Sequence, residues 1–545
     1  MFFFRRALRF FAMKFQHSNN DKLLYNAQRK IREMKYIFSF VLTCCICLSA
    51  CQPTPETPPM VNRGQGLAEE FVAPALAEGE FRQIDAPARW AESLTLRNDE
   101  IEVIADADVI APNQAGNIPV QELQQKPFSE DELRFLVDYF AKGNRVYRVP
   151  KLTRERLELE LENVQGRAGD YNGIWSEATL FEIGIPELIE QAPESAAKEY
   201  IGASFDFPVK DEVGILFSRY DKEEIQTQNT FSAFVDEEGI APGIFATRHD
   251  ATVGSTSCFR FDRGIRISES FLENRRIRHS VYSEWVGTNS QKVFGLEDKW
   301  LADLDFWLDM MAERMESVSF PVEAAQNRAE SLIADLGISG MGLARTEKGV
   351  QIQSDEYQIF SMNQLDEGIK NSPYDAGYIF TYHRKAGELL AIPYARPFLY
   401  FYENIMDDAP SYPPEEISIF ITDKGVQGFT WNHMSYVNDV VAENIRLLPF
   451  ETAKQGFLDY LTYSSLAGGR WVFLPTSAKL GLANSTAFNS PGNTWLVPCW
   501  EFEYTRYAFT DAGKKDYSGV QTALVNALDG GFIPPSNMSI YPEGM

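Results

Sequence analysis

Two textures of hydrophobic and polar positions alternate along the chain. Leu133, Leu136, Val137 and Phe140 recur at three and four residues, the spacing that gathers apolar side chains on one helix face. Ser129 and Glu132 stand before them in the order of a capping box, which predicts an amphipathic helix running to Gly143. A second, charge-rich helical stretch is predicted around 151–164. Beyond Tyr200 short apolar runs take over at 213–217, 230–235, 244–247 and 258–261, broken by Gly and acidic turns, as antiparallel strands require.

Helical spacing returns at 297–317, where Leu301, Leu304, Leu308, Met311 and Met315 form a stripe beside Trp300 and Trp307. Such a stripe serves either as a partner groove or coiled-coil seam, or as the underside of a helix covering a sheet. Pro321 opens a further helix with Ala325, Ala329, Leu332, Ile333 and Leu336 inward and Gly337 at its end. The order then repeats: a helix over 451–463 with Ala453, Phe457, Tyr460 and Leu461, followed by strands at 471–474, 494–504 and 522–527. TEKGVQ at 346–351 and TDKGVQ at 422–427 are near copies, each centred on a glycine suited to a tight hairpin turn. Six residues fit a repeat and shared turn chemistry equally well. The fold class expected is α+β, with antiparallel sheets each covered by helices. The divisions expected are a mostly helical region at 67–200, a β-rich region with a long helix at 201–320, and an α+β region at 321–545. At 545 residues the chain has room for several domains.

The segment MKYIFSFVLTCCICLSAC at 34–51 places one Lys before an apolar run at 36–48. That run is shorter than the ~20 residues of a spanning helix, and prolines follow it at once, so it reads as a signal peptide. Leu48-Ser49-Ala50-Cys51 resembles the lipobox of bacterial lipoproteins. The resemblance implies cleavage before a diacylglyceryl-modified Cys51, with the acyl chains supplying a stable membrane anchor. A Cys-containing secretory signal without lipid is the alternative. Residues 1–33 read as an over-extended start, 34–50 as the signal peptide and 51–66 as the lipidated Cys and a proline-rich stalk. Extended, that stalk spans about 45 Å.

Charge sharpens this picture. Lys and Arg number 51 and Asp and Glu 77, a formal charge of −26, which disfavours phosphate-neutralising nucleic-acid binding. Removing 1–50 takes away nine basic and two acidic residues, leaving −33. Of six cysteines only Cys258 and Cys499 remain beyond the anchor, either bridged or as two buried thiols. No CxxC, HExxH or Cys/His cluster occurs, and no cofactor or metal is expected. His249 and Asp250 before Ser255 and Cys258 suggest a base beside a nucleophile, yet no nucleophile elbow frames them. The best candidate contact surface is 394–402, where Tyr394, Phe398, Tyr400, Phe401 and Tyr402 crowd around Arg396. It is either an exposed patch for a peptide, glycan or protein, or a strand buried on both faces.

The helix after Pro321, the strand WLVPCWEF at 495–502 and the run LVNALDGGFI at 524–533 together give the C-terminal half a resemblance to PepSY-like domains. Asn526-Ala-Leu-Asp-Gly530 is similar to the Asp-Ala-x-Thr-Gly hairpin that closes them, with Asn and Asp replacing Asp and Thr. The order also resembles the extracytoplasmic regulators YycH and YycI, which restrain a membrane histidine kinase, and an uncharacterised family of Gram-positive lipoproteins. The likeness covers 320–533 and implies two PepSY-like helix-plus-meander units in the C-terminal half. This chain departs from the kinase regulators in having a lipobox where they have a transmembrane helix. The expected function is non-enzymatic: an extracytoplasmic lipoprotein anchored to the cell membrane through Cys51, binding an envelope protein in a regulatory or sensing role. A small-molecule or glycan-binding lipoprotein is the alternative, and a hydrolase using His249 with Cys258 or a nearby Ser the third.

Overall fold

Strand outweighs helix in the computed structural model, 50% against 22%, so the mixed fold is mostly β. The structure describes residues 61–62, 66–97, 99–148, 153–155, 157–158, 189–195, 197–205, 228–249, 256–273, 298–353, 373–392, 414–465, 470–486, 493–509 and 515–533. All of them fall in one unit beginning at Met60. Two short ribbons pair β1 (Val61–Asn62) with β2 (Gly66–Leu67) and β3 (Arg82–Gln83) with β6 (Gln114–Ala115).

The smaller main sheet has eight strands: β4 (Arg89–Leu96), β5 (Ile101–Ile110), β7 (Val120–Gln125), β19 (Ser435–Ala442), β20 (Arg470–Thr486), β21 (Asn493–Phe509), β22 (Lys515–Asn526) and β23 (Phe532–Ile533). The strands β4, β5 and β7 correct the expectation of a mostly helical stretch at 67–200. In β5 the buried Ile101, Val103, Ala105 and Ala107 alternate with Glu102, Ile104, Asp106 and Asp108, a period of two that only a sheet can use. The sheet is not wholly antiparallel either, because β5 and β20 run parallel from Ile101 opposite Trp471 to Ile110 opposite Lys479. Helix α4 (Phe450–Ser464) covers one face, with Phe457 stacked on Phe502 at 4.5 Å and Trp90 edge-on to Phe450, Phe457 and Phe502. Arg97, at φ 49°, caps α4 by donating to the carbonyls of Thr462 (3.1 Å) and Ser465 (2.7 Å).

The larger sheet has eleven strands: β8 (Val146–Arg148), β9 (Glu199–Ile201), β10 (Gln228–Val235), β11 (Gly243–His249), β12 (Thr256–Asp262), β13 (Gly264–Ser268), β14 (Met341–Gln353), β15 (Tyr374–Ala386), β16 (Leu389–Leu390), β17 (Glu416–Thr422) and β18 (Gly425–Asn432). Its order is β13-β14-β15-β17-β18-β12-β11-β10-β8-β9, with β16 beside β15. Strands from 201–320 thus pair with strands from 321–545, and the expected boundary near 320 runs through a single sheet. Helices α1 (Glu130–Ala141), α2 (Asp298–Glu316) and α3 (Val322–Asp335) cover one face. Both halves of the Ser129–Glu132 capping box are made, and Phe140 of α1 stacks on Phe261 at 4.9 Å. Leu308, Met311 and Met315 of α2 pack on Ile267, Val350 and Ile352, so this long helix is a sheet cover.

The two near-identical hexapeptides adopt different structures. In the second, Thr422 pairs with Gly425 around the two-residue turn Asp423-Lys424, with Gly425 at φ 104°. The first runs straight through β14, and its Gly349 pairs with Gly377 instead of turning. At the C-terminus, Asn526 accepts from the Leu528 amide (2.9 Å) and Gly530 donates to the Asn526 carbonyl (3.0 Å), forming the turn from β22 into β23.

A latch ties the sheets together where β18 passes to β19. Arg384 is ion-paired with the fully buried Glu415 and donates to the carbonyls of Ser435 (2.7 Å) and Ser339 (3.0 Å). Trp431 and the Ser435 hydroxyl each donate to Glu415 at 2.8 Å. Between the strands His433 sits at φ 56° and its amide donates to the Ser257 carbonyl at 2.7 Å.

Candidate functional site

The face of the larger sheet opposite its helices is built by strands that alternate large apolar and polar residues. Phe259 and Phe261 of β12, Phe429 and Trp431 of β18, Ile417 and Ile419 of β17, and Phe380 and Tyr382 of β15 point into the helix-covered core or pack against it. Period-two alternation sends Arg260, Asp262, Thr430, Ser418 and Thr381 to the other side. Cross-strand register joins these polar positions: Arg345 lies opposite Thr381, Thr381 opposite Ser418, Ser418 opposite Thr430, and Thr430 opposite Arg260.

This face is concave. Strands β12 and β13 are joined by Arg263 alone, yet they stand at the two ends of the run β13-β14-β15-β17-β18-β12. In a flat sheet β13 and β18 would be about 19 Å apart. Instead Arg266 of β13 hydrogen-bonds Thr430 of β18, reaches Ser418 of β17 at 3.5 Å, and pairs with Asp262 of β12 at 2.8 Å. Gln351 of β14 also donates to Asp262 at 3.3 Å. The sheet therefore curls until its ends meet over a buried polar core. Glycine permits the curl: a Cβ on Gly428 would stand 2.7 Å from an Asp262 carboxylate oxygen, and one on Gly264 only 1.9 Å from the Ile352 carbonyl oxygen.

Depth separates two groups of charges. Asp262 and Arg266 are buried, with 9% and 13% of their side chains exposed. Burial pushes the Asp262 carboxyl up and the Arg266 guanidinium down, while Arg260 and Arg266 act against the shift at Asp262. Arg260 and Arg345 instead stand at the opening, about half exposed. Arg260 pairs through Nε with Asp262, and Arg345 through Nε with Glu347 at 3.1 Å. One residue pair further along, His383 lies 3.4 Å from Glu416. Contact with His383 holds the Glu416 carboxyl below its usual range against burial, and Arg345 and His433 add to the effect.

The residues singled out from sequence fall differently. Leu48, Ser49, Ala50 and Cys51 lie outside the described residues, as do Tyr394, Arg396, Phe398, Tyr400, Phe401 and Tyr402. Asp250 and Ser255 are also outside them. In the β11–β12 pair His249 lies opposite Thr256, and Cys258 opposite Thr247. Burial pushes the Cys258 thiol up to about 11, so it is protonated at neutral pH and unsuited to nucleophilic attack. Neither Cys258 nor Cys499 is in a disulfide, and the fully buried Cys499 thiol is pushed well above its ordinary value. Sequence reasoning passed over Arg260, Asp262, Arg266, Arg345, His383 and Glu416. Their signal was present as single polar residues at alternate positions of otherwise apolar strands, but alternation alone reads as an ordinary solvent face.

No family model matches the chain, and no curated protein matches it. Among solved structures it is similar to an uncharacterized protein from Eubacterium rectale ATCC 33656, with 11% identity and a TM-score of 0.36, over 82% of this chain and 93% of the other.

Proposed function

We propose that this chain is a non-enzymatic binding protein, exported and held at the extracytoplasmic face of the cell membrane by lipid on Cys51, which receives an envelope component on its concave face. The tether rests on the lipobox-like Leu48-Ser49-Ala50-Cys51. The observation that carries the binding reading is the row from Arg345 to Arg260, polar groups fixed in register across five strands and opening to solvent at both ends. Preorganised polar groups in a concavity favour a small polar molecule, or the polar group of a larger partner. The raised Cys258 thiol disfavours the hydrolase alternative in its form with Cys258 as nucleophile.

The test is crosslinking in the native cell with tagged protein, followed by mass spectrometry of what is captured. A specific crosslinked component that disappears in an Arg345→Glu variant supports the reading. Identical capture by parent and variant refutes the concave face as the binding surface. Acyl labelling and membrane retention that persist in Cys51→Ala refute the tether.

A further inference from the structure

The hydrogen-bond polarity of the concave row specifies the chemistry of what it binds. Arg266 donates to Ser418 and Thr430, so each hydroxyl accepts from a guanidinium and keeps its own proton to donate elsewhere. Asp262 takes Nε of Arg260 and Glu347 takes Nε of Arg345. That leaves both terminal nitrogens of each mouth arginine without a hydrogen-bond partner among the described residues. Thr381, between Arg345 and Ser418 in register, adds a third hydroxyl. The carboxylates nearby are already engaged. Glu347 also accepts from the Ser270 amide at 2.9 Å, Asp262 is shared by two arginines and Gln351, and Glu416 faces His383.

Resting on the binding reading above, we propose that the row Arg345, Thr381, Ser418, Thr430 and Arg260 binds a phosphate group, free or carried by a lipid headgroup. Two guanidiniums and three hydroxyls supply more donors than the about four acceptor sites of a carboxylate, and they suit a tetrahedral oxyanion. Guanidiniums are also the side chains best matched to phosphate geometry. On this face the Glu416 carboxyl is held low by contact with His383, with Arg345 and His433 adding to the effect.

The experiment is calorimetric titration of the full protein with inorganic phosphate at pH 7 and low salt, with acetate as the carboxylate comparison. In parallel the full chain carrying Cys51→Ala, which lacks the proposed tether, is sedimented with vesicles of phosphatidylglycerol or of phosphatidylcholine. Saturable phosphate binding that weakens about tenfold or more in Arg345→Gln assigns the site to free phosphate. Phosphatidylglycerol sedimentation lost in Arg345→Gln, with a silent titration, assigns it to a headgroup. Ser418→Ala weakens whichever signal appears at a temperature where the variant is fully folded, and Arg134→Gln, on the exposed face of α1, changes neither. Absence of both signals, acetate binding as tightly as phosphate, or equal loss in Arg134→Gln overturns the proposal. If the proposal fails while crosslinks still depend on Arg345, the face binds other chemistry and the broader reading survives.

Discussion

Replacing Glu415 by Ala tests whether the latch between the sheets is held by a buried charge pair. The Glu415 side chain is fully buried and that of Arg384 is 8% exposed. Without the carboxylate, Arg384 keeps the carbonyls of Ser339 and Ser435 but loses its counter-charge, and Trp431 and the Ser435 hydroxyl lose their acceptor. Breaking a buried pair by removing one partner costs about 3–5 kcal/mol, mostly from the charge left behind. The orphaned donors overlap with that figure and are not added to it, because the network acts as a unit. Equilibrium urea unfolding followed by circular dichroism should therefore show Glu415→Ala destabilised by about 4 kcal/mol. Glu415→Gln keeps an acceptor for Trp431 and should lose about half as much. The double variant Arg384→Met/Glu415→Leu should be more stable than Glu415→Ala, since it leaves no buried charge. The exposed Arg89–Asp106 pair supplies the contrast, and Arg89→Gln should leave the midpoint unchanged. A cost for Glu415→Ala under about 1 kcal/mol, or a double variant as unstable as the single one, would refute this account of the latch.

Three further outcomes are expected. Ser129→Ala removes the cap that accepts from the Glu132 amide at 3.2 Å and should cost about 1 kcal/mol in the same assay, with no loss if α1 is held by packing alone. Burial raises the Glu501 carboxyl to about 7, with Glu503 raising it further and Lys479 opposing. The folded state then holds a proton that the unfolded state has released between pH of about 4.5 and 7, so this group's contribution to stability falls as pH rises through that window. Glu501→Gln should remove the slope and add roughly 2 kcal/mol at pH 8; an unchanged pH profile would count against it. Cys258 and Cys499 should resist iodoacetamide at pH 8 in the folded protein and react once urea unfolds it, whereas rapid labelling of folded Cys258 would contradict its burial.

Helices were legible because their signals are local. The Ser129–Glu132 box, the stripe through Met311 and Met315, and the inward faces after Pro321 and Pro449 each lie within a few turns of one segment. The strands β4 and β5 were harder to see. Alternation such as Ile101, Val103, Ala105 and Ala107 becomes decisive only when strands lie on both sides, and for β5 one neighbour is the adjacent β4 but the other is β20, more than 360 residues away. The two hexapeptides make the same point, since one chemistry serves as a hairpin turn at Gly425 and as mid-strand at Gly349, where pairing with Gly377 overrides turn preference.

By itself the sequence determined the acidic charge of −26 and the placing of α1 to α4 through caps and apolar faces. Each depends on neighbours within a few residues or on a simple sum. Only the tertiary structure decided that strands far apart in the chain share each sheet. It alone also brought Arg260, Arg266, Gln351, Ser418 and Thr430 onto one concave face. The physical reason is that strand pairing and sheet curl join residues far apart in sequence, and whether a polar side chain faces solvent or a shared buried network depends on which strands come to lie beside it.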